Sequence, residues 1–149
     1  MVRLVAAAFA AAIFVSPTSS AQAQSADTFR GRLSPVPIMV QQADTVTGSG
    51  SVTATVAGSK LSVSGSFEGL QTPATVARVH RGPKTGVRGP VLFELQVSKA
   101  VAGTLSGDLE LTAQQVQDLR RERFYVQLHS EEAPEGNLWG WLLRQETRR

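Results

Sequence analysis

Two neighbouring stretches alternate apolar and polar side chains with a period of two. In residues 50–57 (GSVTATVA), Val52, Ala54 and Val56 alternate with serine and threonine. In residues 60–67 (KLSVSGSF), Leu61, Val63, Gly65 and Phe67 alternate with Lys60, Ser62, Ser64 and Ser66. Successive side chains on a strand point to opposite faces, so each stretch predicts a strand with one face in a core and one in water. Ala57-Gly58-Ser59 between them is a hairpin-length connection and predicts antiparallel pairing. Strand-like stretches recur at residues 28–33, 75–81, 90–97, 103–111, 124–130 and 137–143, separated by glycine, proline and serine. Short strands broken at regular intervals by turn residues point to an all-β domain rather than alternating β-α units. The expected architecture is a single antiparallel, Greek-key-like β-sandwich. One segment departs from the pattern. Thr112-Ala113-Gln114-Gln115 has the form of a capping box, and Val116 and Leu119 follow at helical spacing, which predicts a short helix over residues 113–122.

The N-terminus carries a different signal. Met1-Val2-Arg3 is a short basic start, residues 4–15 (LVAAAFAAAIFV) are uninterruptedly apolar, and Ala21-Gln22-Ala23 has the small-x-small form of a cleavage site. Residues 1–23 therefore read as a secretory signal peptide, leaving residues 24–149 as one exported domain, periplasmic or secreted. The rest of the composition mainly excludes. The chain has no cysteine, so it has neither a disulfide framework nor a thiol nucleophile nor a thiolate metal site. After residue 23 no apolar run approaches the roughly twenty residues of a membrane span. The 15 basic and 12 acidic residues leave a formal charge of +3, too small a surplus to compel a nucleic-acid partner.

Five segments follow one another in a recognisable order. They are Phe29-Arg30-Gly31-Arg32-Leu33-Ser34 and the run from Leu61 to Gly69-Leu70. Next comes Ala77-Arg78-Val79-His80-Arg81-Gly82, with Gly89-Pro90-Val91 soon after. Leu111-Thr112 then leads through the helix to Phe124-Tyr125-Val126-Gln127-Leu128-His129-Ser130, and Pro134-Glu135-Gly136-Asn137-Leu138-Trp139-Gly140 closes the set. Their order and spacing, over about residues 29–143, resemble the CHRD domain, named after its repeated occurrence in chordin. The resemblance implies an immunoglobulin-like or superoxide-dismutase-like sandwich, exported, with no established enzymatic activity. The chain departs from the family pattern in three places. Arg78-Val79-His80 stands where His-x-His is common, Asn137 and Trp139 occupy positions often charged, and Trp141 replaces a usually polar residue.

Candidate chemistry is sparse. Only two histidines, His80 and His129, are present, and no serine lies in a Gly-x-Ser-x-Gly elbow. Asp27, Asp44, Asp108 and Asp118 form no paired motif, and two histidines cannot build the dinuclear centre of a copper-zinc dismutase. The expectation is a protein that is not an enzyme. One alternative is a metal site: if their strands are neighbours, His80 and His129 converge, with Glu131 or Glu132 completing a nitrogen-oxygen site for zinc or copper. Against it, Arg78, Arg81, Lys84 and Arg88 surround His80 in sequence. On the other reading each histidine hydrogen-bonds a loop backbone and pins the loops at 82–89 and 131–136.

The same four cations, set among Gly82, Gly86 and Gly89, are candidate donors to a sulfate, phosphate or acidic glycan. Trp139 and Trp141 alternate with Leu138, Gly140 and Leu142. If the latter face the core, the two indoles form a stacking platform or a partner anchor, unless the helix covers them through Val116 and Leu119. The function expected from the sequence is an exported, non-enzymatic binding or structural module. Its partner would be a protein or an extracellular polymer, met through Trp139, Trp141, Arg78, Arg81, Lys84 and Arg88.

Overall fold

A computed structural model describes residues 25–37 and 40–146. The signal segment read at residues 1–23 lies outside the described residues. Nine strands and one helix follow the alternation closely. They are β1 (Asp27–Pro35), β2 (Ser49–Ala57), β3 (Lys60–Glu68), β4 (Ala74–Arg81), β5 (Val91–Val97), β6 (Gly103–Glu110), α1 (Ala113–Arg120), β7 (Phe124–Ser130), β8 (Leu138–Trp141) and β9 (Leu143–Arg144). The β2–β3 hairpin turns through Gly58, whose φ of 61° favours glycine, and pairs Ala57 with Lys60.

The sandwich expected above is corrected by the strand order. The wall runs β1-β2-β3-β6-β5-β4-β7-β8, and β8 returns to β1, so eight antiparallel strands close into a barrel with β9 alongside β1. Closure depends on β1, which serves two neighbours: its residues 27–33 pair with β2, while Ser34 and Pro35 pair with Trp139 and Leu138 of β8. The seams β1–β8 and β5–β6 are each two residue pairs wide, so two sheets are joined at both margins rather than left stacked and open. Sequence alternation does not distinguish these outcomes, because sandwich and barrel both need only one face of each strand buried.

The interior holds Phe29, Leu33, Val52, Val63, Phe67, Val79, Leu105, Val126, Leu128 and Leu138, among others. Val116 and Leu119 of α1 join this same cluster, so the helix stops one end of the barrel. Its capping box forms as expected: Gln115 N–H donates to Thr112 Oγ1, and Thr112 N–H to Gln115 Oε1. The charged run Arg120-Arg121-Glu122-Arg123 at the end of the helix is partly a set of ties. Arg120 Nε lies 2.9 Å from Asp27, and Arg123 Nη1 lies 3.1 Å from Asp118, whose side chain is wholly buried. Arg144 of β9 also meets Asp27, at 2.6 Å. Burial works against the Asp27 charge, but hydrogen bonds from Arg144 and Arg120 outweigh it and hold the carboxyl below its ordinary range. The last predicted strand is broken at Leu142. Its side chain is fully buried and its N–H donates to Phe124 O, which divides β8 from β9.

Candidate functional site

Every residue of β7 is buried, although strand alternation gives it two faces. Phe124, Val126 and Leu128 point into the barrel. Tyr125, Gln127 and His129 point outward, and two loops cover them. Register places these side chains in a grid across three strands. His80 of β4, Tyr125 and Trp141 of β8 form one row, and Arg78, Gln127 and Trp139 the next, while His129 sits opposite Val76.

The loop between β4 and β5 is fastened over the first row. His80 Nδ1 lies 3.1 Å from Gly89 O, and because a carbonyl only accepts, that nitrogen carries the proton. Tyr125 Oη accepts from Gly89 N–H at 3.1 Å and donates to Gly89 O at 3.2 Å. Gly89 cannot be replaced without moving the strand, since a Cβ there would stand 1.9 Å from Arg81 O. Thr85 Oγ1 donates to Glu122 O and Gly82 N–H to Arg123 O, tying the same loop to the chain after α1.

The loop between β7 and β8 covers the other end. His129 Nδ1 donates to Pro134 O at 2.8 Å, and Gln127 Nε2 donates to Glu135 O at 2.9 Å. Gly136, at φ 135°, approaches so closely that a Cβ would meet Gln127 Nε2 at 2.4 Å. Under the loops the rings form one cluster. His80 stacks on Tyr125 with centroids 4.8 Å apart, and Tyr125 lies 4.6 Å from Trp141 and 5.8 Å edge-on from Trp139. The two indoles are 6.0 Å apart, and Arg88 Cζ lies 5.3 Å from the Trp139 ring centroid.

The residues singled out in the sequence fall into place unevenly. Leu138, Gly140 and Leu142 do face inward, and Trp139 and Trp141 lie outside, half-buried. The expectation that α1 covers them is wrong: Val116 and Leu119 belong to the barrel core, while Trp139 packs with Val36, Val46 and Ala133. His80 and His129 share the outer face without converging. His80 stands opposite Tyr125, and His129 lies four residues further along β7, about 13 Å of strand. Both Nδ1 atoms are taken by loop carbonyls, as in the loop-pinning reading. Glu131 and Glu132 are exposed, their N–H groups donating to Pro73 O and Thr72 Oγ1. Among the described residues no group of three or more side chains could hold a metal ion, so zinc or copper gains no support.

The basic set divides as well. Arg78 lies 3.6 Å from Glu94, Arg88 lies on Trp139, and Lys84 is exposed on the β4–β5 loop. Arg81 leaves the patch: it continues the inward row of Ala77 and Val79 past the end of the core and meets Asp118 at 2.9 Å. Tyr125 and Gln127 are the central residues that sequence reasoning passed over. Alternation along β7 places them on the His129 face, but nothing local reveals that loops bury that face.

Both imidazoles are held below the usual histidine range. For His80 burial is the main cause; the Gly89 carbonyl opposes it, while His129, Arg78 and Arg88 push the same way as burial. For His129 burial again leads, opposed by Pro134 O and Glu135 and assisted by Arg78. The unfolded chain takes up protons at the ordinary histidine value near 6.5 while the folded chain resists. The stabilisation is therefore complete above about pH 6.5 and is lost as pH falls from there through the lower folded-state values. The midpoint of urea unfolding is expected to drop between about pH 7.5 and pH 5, and to drop less in a His80→Gln/His129→Gln variant. A wild-type midpoint that holds or rises over that interval contradicts the assignment.

Fold and site together define an all-β barrel domain with a loop-roofed outer face of aromatic and basic side chains. The sequence profile of the CHRD domain matches residues 29–142, and the chain belongs to the CHRD domain family. No curated protein and no solved structure matches it.

Proposed function

We propose that this chain is an exported, non-enzymatic binding module of CHRD type. Its contact surface is the outer side of β4 and β8 with the β4–β5 loop beside them, and its partner is a protein or an extracellular polymer. The observation that carries this reading is the state of Trp139, Trp141 and Arg88. Two half-buried indoles and an exposed guanidinium sit together at the surface, the indoles held by packed rings rather than taken into the core. Rigid aromatics with an arginine beside them are what binding surfaces concentrate. Support for a non-enzymatic role comes from what the free ring nitrogens face: His80 Nε2 meets no hydrogen-bond partner and His129 Nε2 meets only the Gln127 side-chain amide, so neither imidazole stands against a hydroxyl nucleophile.

A photo-reactive residue at position 88 tests the surface, with one at Ser64 of β3 as control. Ser64 is exposed on the far side of the barrel. Exported protein is expected to form discrete adducts from position 88 and none from position 64, and to begin at Gln24. Equal labelling from both positions, or none from either, overturns the reading.

A further inference from the structure

Three groups on this face lack the partners their chemistry calls for. Arg88 makes no ion pair among the described residues; its guanidinium is laid against Trp139. Arg78 holds Glu94 only at 3.6 Å, with side chains 36% and 66% exposed, a pair that water largely dissolves. His80 is 8% exposed, and its Nε2 is buried with no hydrogen-bond partner. Register brings these groups together: Arg78 shares a row with Trp139, over which Arg88 lies at 5.3 Å, and His80 stands two residues along β4 from Arg78 on the same face.

We propose that Arg78, Arg88 and His80 form a binding site for an oxyanion, a sulfate or carboxylate group. The proposal rests on the reading of this face as a contact surface and names the chemistry it recognises. Over the Trp139 ring the Arg88 guanidinium donates to no acceptor among the described residues, so its N–H groups remain available for bidentate contact. Trp139 is thus a positioning residue: it holds Arg88 without neutralising it. His80 supplies a third contact whose character depends on pH. With its Nδ1 proton given to Gly89 O, neutral His80 offers only an acceptor at Nε2; protonated, it becomes a donor aligned in charge with an anion.

The groups around this ring are Arg78 on its own strand, Tyr125 and His129 on β7, and Arg88 and the Gly89 carbonyl on the loop. Glu94 on β5 faces Arg78. Exposed Glu94 is the one carboxylate of that set, so a bound oxyanion relieves repulsion among the cations, and binding takes up a proton. Affinity therefore rises as pH falls below the ordinary histidine value.

The test titrates the mature chain with sodium sulfate and, separately, with heparin, following tryptophan fluorescence at constant ionic strength near about pH 5.5 and about pH 7.5. Saturable binding is expected, tighter at the lower pH. An Arg78→Gln/Arg88→Gln variant is expected to bind about tenfold more weakly or worse. In His80→Gln the pH dependence, but not all binding, should vanish. Thermal unfolding of each variant checks that the fold is intact. Binding of both probes assigns a site for free oxyanions, and binding of heparin alone assigns one for anions borne on a polymer. No saturable response to either probe at either pH, or full affinity in the double arginine variant, overturns the proposal. Adducts at position 88 would then still stand for the contact surface with a different ligand. Anion binding without adducts would keep the site and remove the macromolecular partner.

Discussion

Tyr125→Ala is expected to lower the free energy of unfolding by about 3–5 kcal/mol, as large a loss as the barrel core itself would show. The side chain is 1% exposed although it stands on the outside of the sheet. It contacts His80, Trp139 and Trp141, and its hydroxyl bonds both the N–H and the carbonyl of Gly89. Removing it takes away the stack and the loop anchor together. Tyr125→Phe separates the two effects: the ring packing stays, the Gly89 groups lose one partner, and the cost falls to about 1–2 kcal/mol. Urea unfolding measures both, and hydrogen exchange at Gly89 should quicken in each variant. A Tyr125→Ala cost below about 1 kcal/mol would mean that the roofed face contributes no packing of its own.

Asp118→Ala comes next in size, with an expected loss of about 2–3 kcal/mol. Its carboxylate is wholly buried between Arg81 and Arg123, and Gln114 Nε2 also points at it, 3.4 Å from Oδ1. A fully buried pair that loses one member costs more, but here the two arginine side chains are 41% and 31% exposed and can turn to water. The better helix propensity of alanine offsets a further few tenths. Because Asp118 joins α1 to the end of β4, the loss should appear with unchanged chemistry at the aromatic face. Retention of wild-type anion binding in the folded variant would show that separation. A cost under about 0.5 kcal/mol would mean that the arginines find equal partners elsewhere.

The strands were legible because their pattern is local. Leu61, Val63 and Phe67 against Ser62, Ser64 and Ser66 determine which side is buried whatever the neighbours are. The capping box at Thr112 and Gln115 was legible for the same reason. Closure was not, since it depends on Ser34 and Pro35 leaving β2 for β8, and no property of those two residues announces a second partner. Arg81 was misplaced because a cation beside Gly82 reads as part of a basic loop. Its place two residues after Val79, on the same face, was the signal that it points inward, and only the position of Asp118 on α1 explains why a charge is tolerated there. The histidines were half legible: the shared outer face was readable from alternation, but whether the rings meet depends on register. The pairing of His80 with Tyr125 sets them apart. The roof over Tyr125 and Gln127 was hidden altogether, because burial by a loop leaves no periodic mark on the strand it covers.

The pairing of β1 with both β8 and β9 also governs how the molecule is made. Phe29 and Arg30 register with Arg144 and Leu143, and Asp27 is bound to Arg144 across 117 residues of chain. The first strand to be synthesised waits for the last. Until then β1 presents an open edge, and the slow, long-range step of sealing the cylinder can begin only when the whole domain has left the ribosome. A chain cut short before residue 143 would keep that edge and be prone to pair with its own copies.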